Sequence, residues 1–351
     1  MNQNIVQIIP ALRMILSKND LKSLKVIENG TPNSDTFVFE NETLGAILTE
    51  VETITTIPTS LFVKGIGLIE ISENNSIGRA ANKTIIVTGA AQGFGEGIAA
   101  CLLKQGANIV VADLNEEMGQ ATVASFNKIA TNRALFVKTN VSDISSIENL
   151  VHETVCNFGA IDCFISNAGV LRAGGLDDMS PEDFDFVTKI NYNAYFYCTK
   201  VVSRVMKLQT KYATNDYYAD IIQINSKSGL RGSKANFAYA GGKFGGIGLT
   251  QSFALELAPN RIKVNSVCPG NYYEGPLWSD PENGLFVQYL RAGKVPGAKT
   301  IDDVKAFYLA QVPMNKGCNP EDVTKGVLYL MEQCGETGQA LPITGGQVML
   351  N

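Results

Sequence analysis

Tyr239 and Lys243 stand four residues apart in Tyr-Ala-Gly-Gly-Lys, so on a helix a phenol and an ammonium share one face. A phenol with its ordinary pKa near 10 carries protons poorly at neutral pH. A nearby cation favours the phenolate, at about 1.36 kcal/mol per pKa unit of lowering, and the pair then suits proton transfer to and from an alcohol or a carbonyl. The same spacing also describes an ordinary surface pair. Thirteen residues upstream, Ser226 follows the β-branched run 221–225, which sets its hydroxyl at the carboxyl end of a strand, where open α/β sheets bind ligands. Lys227, Arg231 and Lys234 then place three cations within eight residues. They can grip the anionic end of a substrate, Arg by bidentate pairing and Lys as a point charge, or they can be a solvated loop.

A second cluster precedes these groups. The apolar run 84–88 passes straight into Gly89-Ala-Ala-Gln92-Gly93-Phe94-Gly95, and a helical stretch follows at once. Glycines at that junction let the backbone turn sharply and approach a pyrophosphate, whose charge meets the helix N-terminus. The spacing is T-G-x-x-x-G-x-G and not G-x-G-x-x-G, and a glycine cluster alone also describes a tight strand-helix turn. The next run, 108–112, ends at Asp113, twenty residues beyond Gly93. A carboxylate there binds the hydroxyls of an adenosine ribose and repels a 2′-phosphate, which favours NAD, although an aspartate after a strand also caps helices. Gln92 brings no positive charge for such a phosphate.

The elements that must hold these groups read, from residue 83 onward, as short β-branched runs alternating with helical stretches. That is the pattern of a mostly parallel sheet covered on both faces. Strands are expected at 84–88, 108–112, 134–138, 163–166, 221–225, 263–267 and 340–344, seven in all, which fits a doubly wound α/β fold. Helices are expected at 96–105, 144–158, 181–207, 240–257 and 320–333, the last with Asn319 as N-cap and Pro320 as its first residue. Residues 1–80 differ. They offer one helix at 5–17 and strand-like runs at 37–39, 46–49 and 61–71, a small α/β extension joined by the polar linker 72–82 to a second domain, 81–351.

Ser226, Tyr239 and Lys243, in this order after a glycine turn and an acidic strand end, resemble the short-chain dehydrogenase/reductase family. The likeness spans about 82–351 and includes Asn140-Val141, Asn167-Ala168-Gly169, Asn191, Asn265-Ser266-Val267, Pro269-Gly270, Thr337-Gly338-Gln339 and Gly345-Gly346. It implies a Rossmann-type fold with Tyr239 as general acid/base and Lys243 as its pKa-lowering partner and ribose ligand. Ser226 would orient the carbonyl, and Asn191 would hold a proton-relay water. The implied NAD site comprises Gly89, Gln92, Gly93, Phe94, Gly95, Asp113, Leu114, Asn140, Val141, Asn167, Ala168, Gly169, Tyr239, Lys243, Pro269, Gly270 and Tyr272. Asn140 stands where many members carry Asp, and Asn271-Tyr-Tyr-Glu-Gly-Pro-Leu-Trp278 replaces the commoner branched residue and Thr. Ile224-Asn-Ser-Lys-Ser-Gly229, Gly232-Ser-Lys234, Pro269-Gly-Asn271, Pro276-Leu277, Val312-Pro313, Gly317-Cys318 and Thr344-Gly-Gly-Gln-Val348 resemble the sorbitol-6-phosphate 2-dehydrogenase branch of that family. Val63–Glu70 followed by Gly78–Lys83 is similar to the junction of bacterial aldolase-dehydrogenase fusions, yet the extension holds no histidine for a metal-dependent aldolase.

Composition narrows the remaining classes. The chain has 351 residues, 45% hydrophobic and 18% charged, enough to bury a sizeable core. A net charge of −5 gives no global attraction for nucleic acid or an anionic membrane, and no run reaches the roughly 20 apolar residues of a span. Seven scattered cysteines form no C-x-x-C pair, so neither a disulfide framework nor a zinc site is expected, and the cytoplasm is the expected location. The single histidine, His152, reads as a surface or packing residue on a helix, and no metal is expected.

The expected activity is hydride transfer between NAD and the secondary alcohol or ketone of a polyol or sugar phosphate. Two other readings stay open: a dehydrogenase of the same fold for another carbonyl, such as a 3-oxoacyl chain, a steroid or a small ketone, or an NAD-binding regulator without turnover. The resemblance implies a homodimer or homotetramer, with helix 181–207 as a candidate contact surface.

Overall fold

A computed structural model describes residues 3–17, 20–73, 76–213, 216–291 and 293–349. The chain opens with helix α1 (Gln3–Ser17) and a four-stranded sheet of β1 (Ser23–Ile27), β2 (Thr36–Val38), β3 (Ser60–Val63) and β4 (Gly67–Ser72), in the order β1-β4-β3-β2. Helix α2 (Leu44–Val51) lies between β2 and β3. The run 46–49, expected as a strand, is thus part of a helix, because Ile47 and Val51 sit one turn apart and both enter the core. The run 61–71, expected as one strand, folds back on itself at Gly65 (φ +81°) and Gly67 (φ +117°), a backbone region open to glycine. Strand β1 was not expected at all.

The second sheet carries the site. It consists of β5 (Thr84–Thr88), β6 (Asn108–Asp113), β7 (Ala134–Lys138), β8 (Cys163–Ser166), β9 (Ala219–Ile224), β10 (Ile262–Pro269) and β11 (Ala340–Ile343). All pairings are parallel and the order is β11-β10-β9-β8-β5-β6-β7. The order reverses between β5 and β8, the switch point above which doubly wound sheets bind ligands. Side chains alternate between faces: Ile86 and Val110 join one apolar cluster, while Ile85, Val87, Ile109 and Val111 join the other. Helices α3 (Gly93–Lys104) and α4 (Glu116–Ile129) follow β5 and β6, and α5 (Ile144–Phe158) follows β7. Helix α4 escaped the sequence reading; Asn115 starts it by accepting the N–H of Met118 at 3.0 Å.

The stretch 181–207, expected as one helix, divides into α6 (Pro181–Thr188), a π-helical turn (Lys189–Asn193) and α7 (Ala194–Tyr212). The extra residue of the π turn lets Asn191 bond inward: its Oδ1 accepts the N–H of Val170 and its Nδ2 donates to the Val170 carbonyl, both at 2.8 Å. Helix α8 (Phe237–Leu257) packs beside that turn so closely that a Cβ on Gly242 would lie 3.3 Å from the Cβ of Asn191. Between β10 and β11 come three short helices, α9 (Pro276–Ser279), α10 (Leu285–Arg291) and α11 (Ile301–Leu309), which form a cap with its own apolar centre of Tyr273, Trp278, Phe286 and Val304. The last helix, α12 (Pro320–Glu332), begins as expected, Asn319 Oδ1 accepting from the N–H of Asp322 at 2.9 Å.

The two sheets are separate, but their cores are not. Helix α1 packs on α5 and α7, β1 packs on α5, and Ile5, Leu12 and Leu24 belong to the same apolar cluster as Phe164 and Val205. The linker expected at 72–82 includes residues 74 and 75, outside the described residues. Its described end is pinned by Ser76 Oγ, which donates to Gly106 O at 2.9 Å, and by Arg79, which pairs with Glu332. No helix among the described residues is long and apolar enough to cross a membrane.

Candidate active site

A cleft of about 1150 Å³ runs along the carboxyl ends of the strands of the second sheet. Every residue assigned from the sequence to cofactor, catalysis or substrate lines it, except Asn191, which lies just beneath.

Its first wall is the turn between β5 and α3. A Cβ on Gly89 would lie 2.9 Å from the Cα of Ala168, and one on Gly95 would run into the Gly89 carbonyl. Over Gly93 (φ +64°) nothing lies within 4 Å. Backbone thus replaces side chain where a phosphate must approach, at the positive end of α3. Asn167 fixes the turn from β8, donating its amide to the carbonyls of Thr88 (2.9 Å) and Gly89 (3.1 Å). Asp113 fixes it from β6: one carboxylate oxygen accepts from Ala91 N and the other from Asn115 N, each at 3.0 Å. Each oxygen retains a lone pair for a ribose hydroxyl. Leu114 is exposed beside it, and Asn140 spends its Oδ1 on an Asx turn to Ser142. These residues fit a dinucleotide.

The second wall is built by β9 and α8. Ser226 Oγ accepts from Ser228 N at 3.1 Å, and Ser226 and Tyr239 are hydrogen-bonded through their side chains. One helical turn on, the Lys243 ammonium lies 5.6 Å from the centre of the Tyr239 ring and donates to the Ile224 carbonyl at 2.9 Å. Asn225 locks helix to strand through its amide, which bonds Lys243 O at 2.9 Å.

Burial dominates the electrostatics of this wall. Burial pushes the Tyr239 phenol above its ordinary pKa, outweighing the bond to Ser226, and burial draws Lys243 down to about 8. The Lys243 ammonium is itself desolvated and donates to Ile224 O, while its charge stays 5.6 Å from the centre of the phenol ring. The side-chain amide of Asn191 is spent on Val170, which leaves its main chain to face any water beside it. A cavity of about 10 Å³, the size of one water, lies there between Ser166, Asn191, Gln223 and Lys243.

The third wall is cationic and aromatic. Lys227 donates to Gln347 Oε1 at 2.8 Å, and its pKa is drawn down to about 8 by burial and by the charge of Arg231. Neither Lys227 nor Arg231 has a carboxylate partner among the described residues, and Lys234 lines the same cleft. The cap adds groups that the sequence reading missed: Trp278, Tyr289, Phe307 and Tyr308 line the cleft, as does Lys294, its ammonium 3.9 Å from the centre of the Tyr289 ring. The aromatic content of 272–308 was a visible signal, but nothing in its spacing told core from cleft. His152 does not line the cleft; it is a largely buried side chain of α5 beside Glu153.

Comparison with known proteins agrees with this geometry. The short chain dehydrogenase family model matches residues 83–278. Sorbitol-6-phosphate 2-dehydrogenase of Escherichia coli is 33% identical over 285 residues, covering 76% of this chain and 99% of the relative. A 3-oxoacyl-[acyl-carrier-protein] reductase of Thermotoga maritima is 29% identical over 273 residues, covering 77% and 100%. The crystal structure of sorbitol-6-phosphate 2-dehydrogenase from Erwinia amylovora superimposes with a TM-score of 0.69 at 33% identity, covering 76% of this chain and all of that one. With its cleft, its Ser-Tyr-Lys arrangement and these matches, the chain belongs to the short chain dehydrogenase family, the NAD(P)-dependent oxidoreductases that act on CH–OH groups.

Proposed function

We propose that the protein interconverts a secondary alcohol and its ketone at C2 of a polyol or sugar phosphate, using NAD. The observation that carries this reading is the uncompensated pair Lys227 and Arg231, set directly after Ser226 in a cleft shared with Lys234 and Lys294. A desolvated ammonium that feels the charge of a nearby guanidinium is stabilised by an anion bound beside both. The 33% identity to a sorbitol-6-phosphate 2-dehydrogenase supports the same class, whereas the reductase similarity keeps an acyl-chain ketone as the competing substrate.

Tyr239 Oη takes the alcohol proton in oxidation and returns it in reduction, while Ser226 Oγ orients the reacting oxygen. The nicotinamide, when bound, accepts or supplies the hydride. Lys243 holds positive charge beside the phenol, and the water-sized cavity at Asn191 gives its ammonium a route for protons. Asp113 selects NAD, since a 2′-phosphate would face its carboxylate. Exposed Phe196 and Phe244 and the 82% exposed Leu255, on α7 and α8, offer the surface for a homodimer or homotetramer. Seven free thiols suit a reducing cytoplasmic setting, and carbohydrate metabolism is the proposed role. The extension resembles the fusion junction named above only in sequence, and its proposed role is packing.

The test is a panel of polyols, ketoses, their phosphates and a 3-oxoacyl thioester with NAD and NADP, read by absorbance of the reduced cofactor. Preference for a phosphorylated polyol and at least about tenfold higher kcat/KM with NAD are expected. A better rate with the thioester, or equal use of NADP, overturns the corresponding assignment.

A further inference from the structure

Phe94 and Tyr272 meet ring to ring over the cofactor cleft, their centroids 4.9 Å apart and their planes at 37°. They come from distant parts of the fold. Phe94 stands between Gly93 and Gly95 on the turn after β5, and Tyr272 lies three residues beyond the end of β10. In the sheet β8 and β9 separate β5 from β10, so the two side chains meet across the ends of two intervening strands. Tyr272 is seated for this contact. A Cβ on Gly275 would run into its ring, and Gly275 N donates to the Tyr272 carbonyl at 3.1 Å, which folds the loop under the ring.

A dinucleotide that reaches from Asp113 to Tyr239 must cross the glycine turn, where the space over Gly93 is open and the Phe94–Tyr272 contact stands beside it. The flank of that contact is acidic. Glu321, Glu274 and Glu96 lie close enough to add to the effect of burial in raising the Tyr272 phenol, and a diphosphate slipping out past the rings would meet them.

We propose that Phe94 and Tyr272 form a strap over the diphosphate segment of a bound NAD(P), and that the parting of these two rings sets how fast the dinucleotide leaves. The inference rests on family membership alone and is independent of the sugar-phosphate reading. An aromatic pair of this kind contributes enough to slow a dissociation step severalfold.

The experiment is stopped-flow dissociation of NADH, and separately of NADPH, from the full-length protein, chased with excess oxidised dinucleotide and read by reduced-nicotinamide fluorescence. Tyr272→Leu and Phe94→Leu should each speed release about threefold to tenfold. Tyr272→Phe, which keeps the ring, should stay within about twofold of the parent. The double variant should be no faster than the faster single one, because both remove the same contact. Gly275→Ala, which displaces the ring without altering either strap residue, should also speed release. Unchanged rates in both single leucine variants overturn the strap, and so do effects that multiply in the double variant or a Tyr272→Phe rate equal to that of Tyr272→Leu. A thermal melt of each variant separates a folding defect from a faster rate.

Discussion

Arg13 and Asp162 lie 149 positions apart in sequence and form a bidentate ion pair, two bonds of 2.9 Å between side chains with no exposed surface. The guanidinium also donates to Lys22 O at 2.6 Å, while the carboxylate accepts from Tyr217 Oη at 2.6 Å and from Thr84 N at 2.7 Å. Asp162 thus gathers the starts of β5, β8 and β9, and the N-terminal extension supplies its counter-charge. Against burial, Arg13 holds the Asp162 carboxyl below its usual pKa of 3.8. The stability this confers is present above pH 3.8 and is lost as the pH falls through the lowered value.

Removing one partner of such a pair leaves a buried charge, so Arg13→Met should cost about 3–5 kcal/mol in urea unfolding at pH 7. In that variant burial acts on Asp162 without the guanidinium, its pKa rises, and the penalty should shrink as the pH is lowered toward 5. A midpoint equal to the parent's, or a penalty independent of pH, contradicts this account. Deleting residues 1–77 also uncovers the apolar faces of α5 and α7 and should give an aggregating chain, seen by light scattering.

Tyr239→Phe should keep the fold and the affinity for NAD, measured calorimetrically, and lose about 100-fold or more in turnover, the scale of a removed acid/base. Normal NAD binding with near-normal turnover would refute the assigned role.

Lys243→Met should separate stability from activity. The Lys243 pKa is drawn from 10.5 to about 8 by burial, so its contribution to stability is fully present above pH 10.5 and is lost as the pH falls through 8. Replacing it should therefore raise stability at pH 7 by about 1–3 kcal/mol, less the lost bond to Ile224 O, while turnover falls. The gain should vanish between pH 8 and pH 10.5. A variant less stable than the parent at pH 7 and equally so at pH 10.5 contradicts the assigned cause.

The large sheet was readable because parallel strands buried on both faces are continuous β-branched runs; residues 84–88, 134–138 and 163–166 match their strands at both ends. The Tyr239, Lys243 and Ser226 geometry was readable for the same local reasons: one helical turn, and one strand end. What escaped the reading depends on contacts between distant residues. Asn191 demands a π turn only because Val170 waits for its amide, and no periodicity in 181–207 records that. Ile47 reads as readily into a strand as a helix until the core it faces is known. The burial that raises the Tyr239 phenol was not readable either, because neighbour identity fixes the sign of a pair interaction, whereas burial is a property of the folded cleft.

The last prediction concerns Lys227, Arg231 and Lys234, where a phosphate and a solvated surface make opposite demands. A surface lysine keeps its ordinary pKa, but Lys227 is drawn down to about 8 by burial and by Arg231, and its ammonium is anchored to Gln347. Charge-assisted bonds of roughly 1.5–3 kcal/mol each should make a phosphorylated polyol far better in kcat/KM than its free parent. Single substitutions to Met should shrink that ratio most at half-buried Lys227 and less at exposed Arg231 and Lys234, with NAD affinity unchanged. Since uncharged Lys227 attracts no phosphate, the preference of the parent protein should also decline above pH 8, and Lys227→Met should lose that decline. If the free polyol is used as well as its phosphate, or if all three variants keep the parent's ratio, the cations do not hold substrate and the phosphate assignment falls.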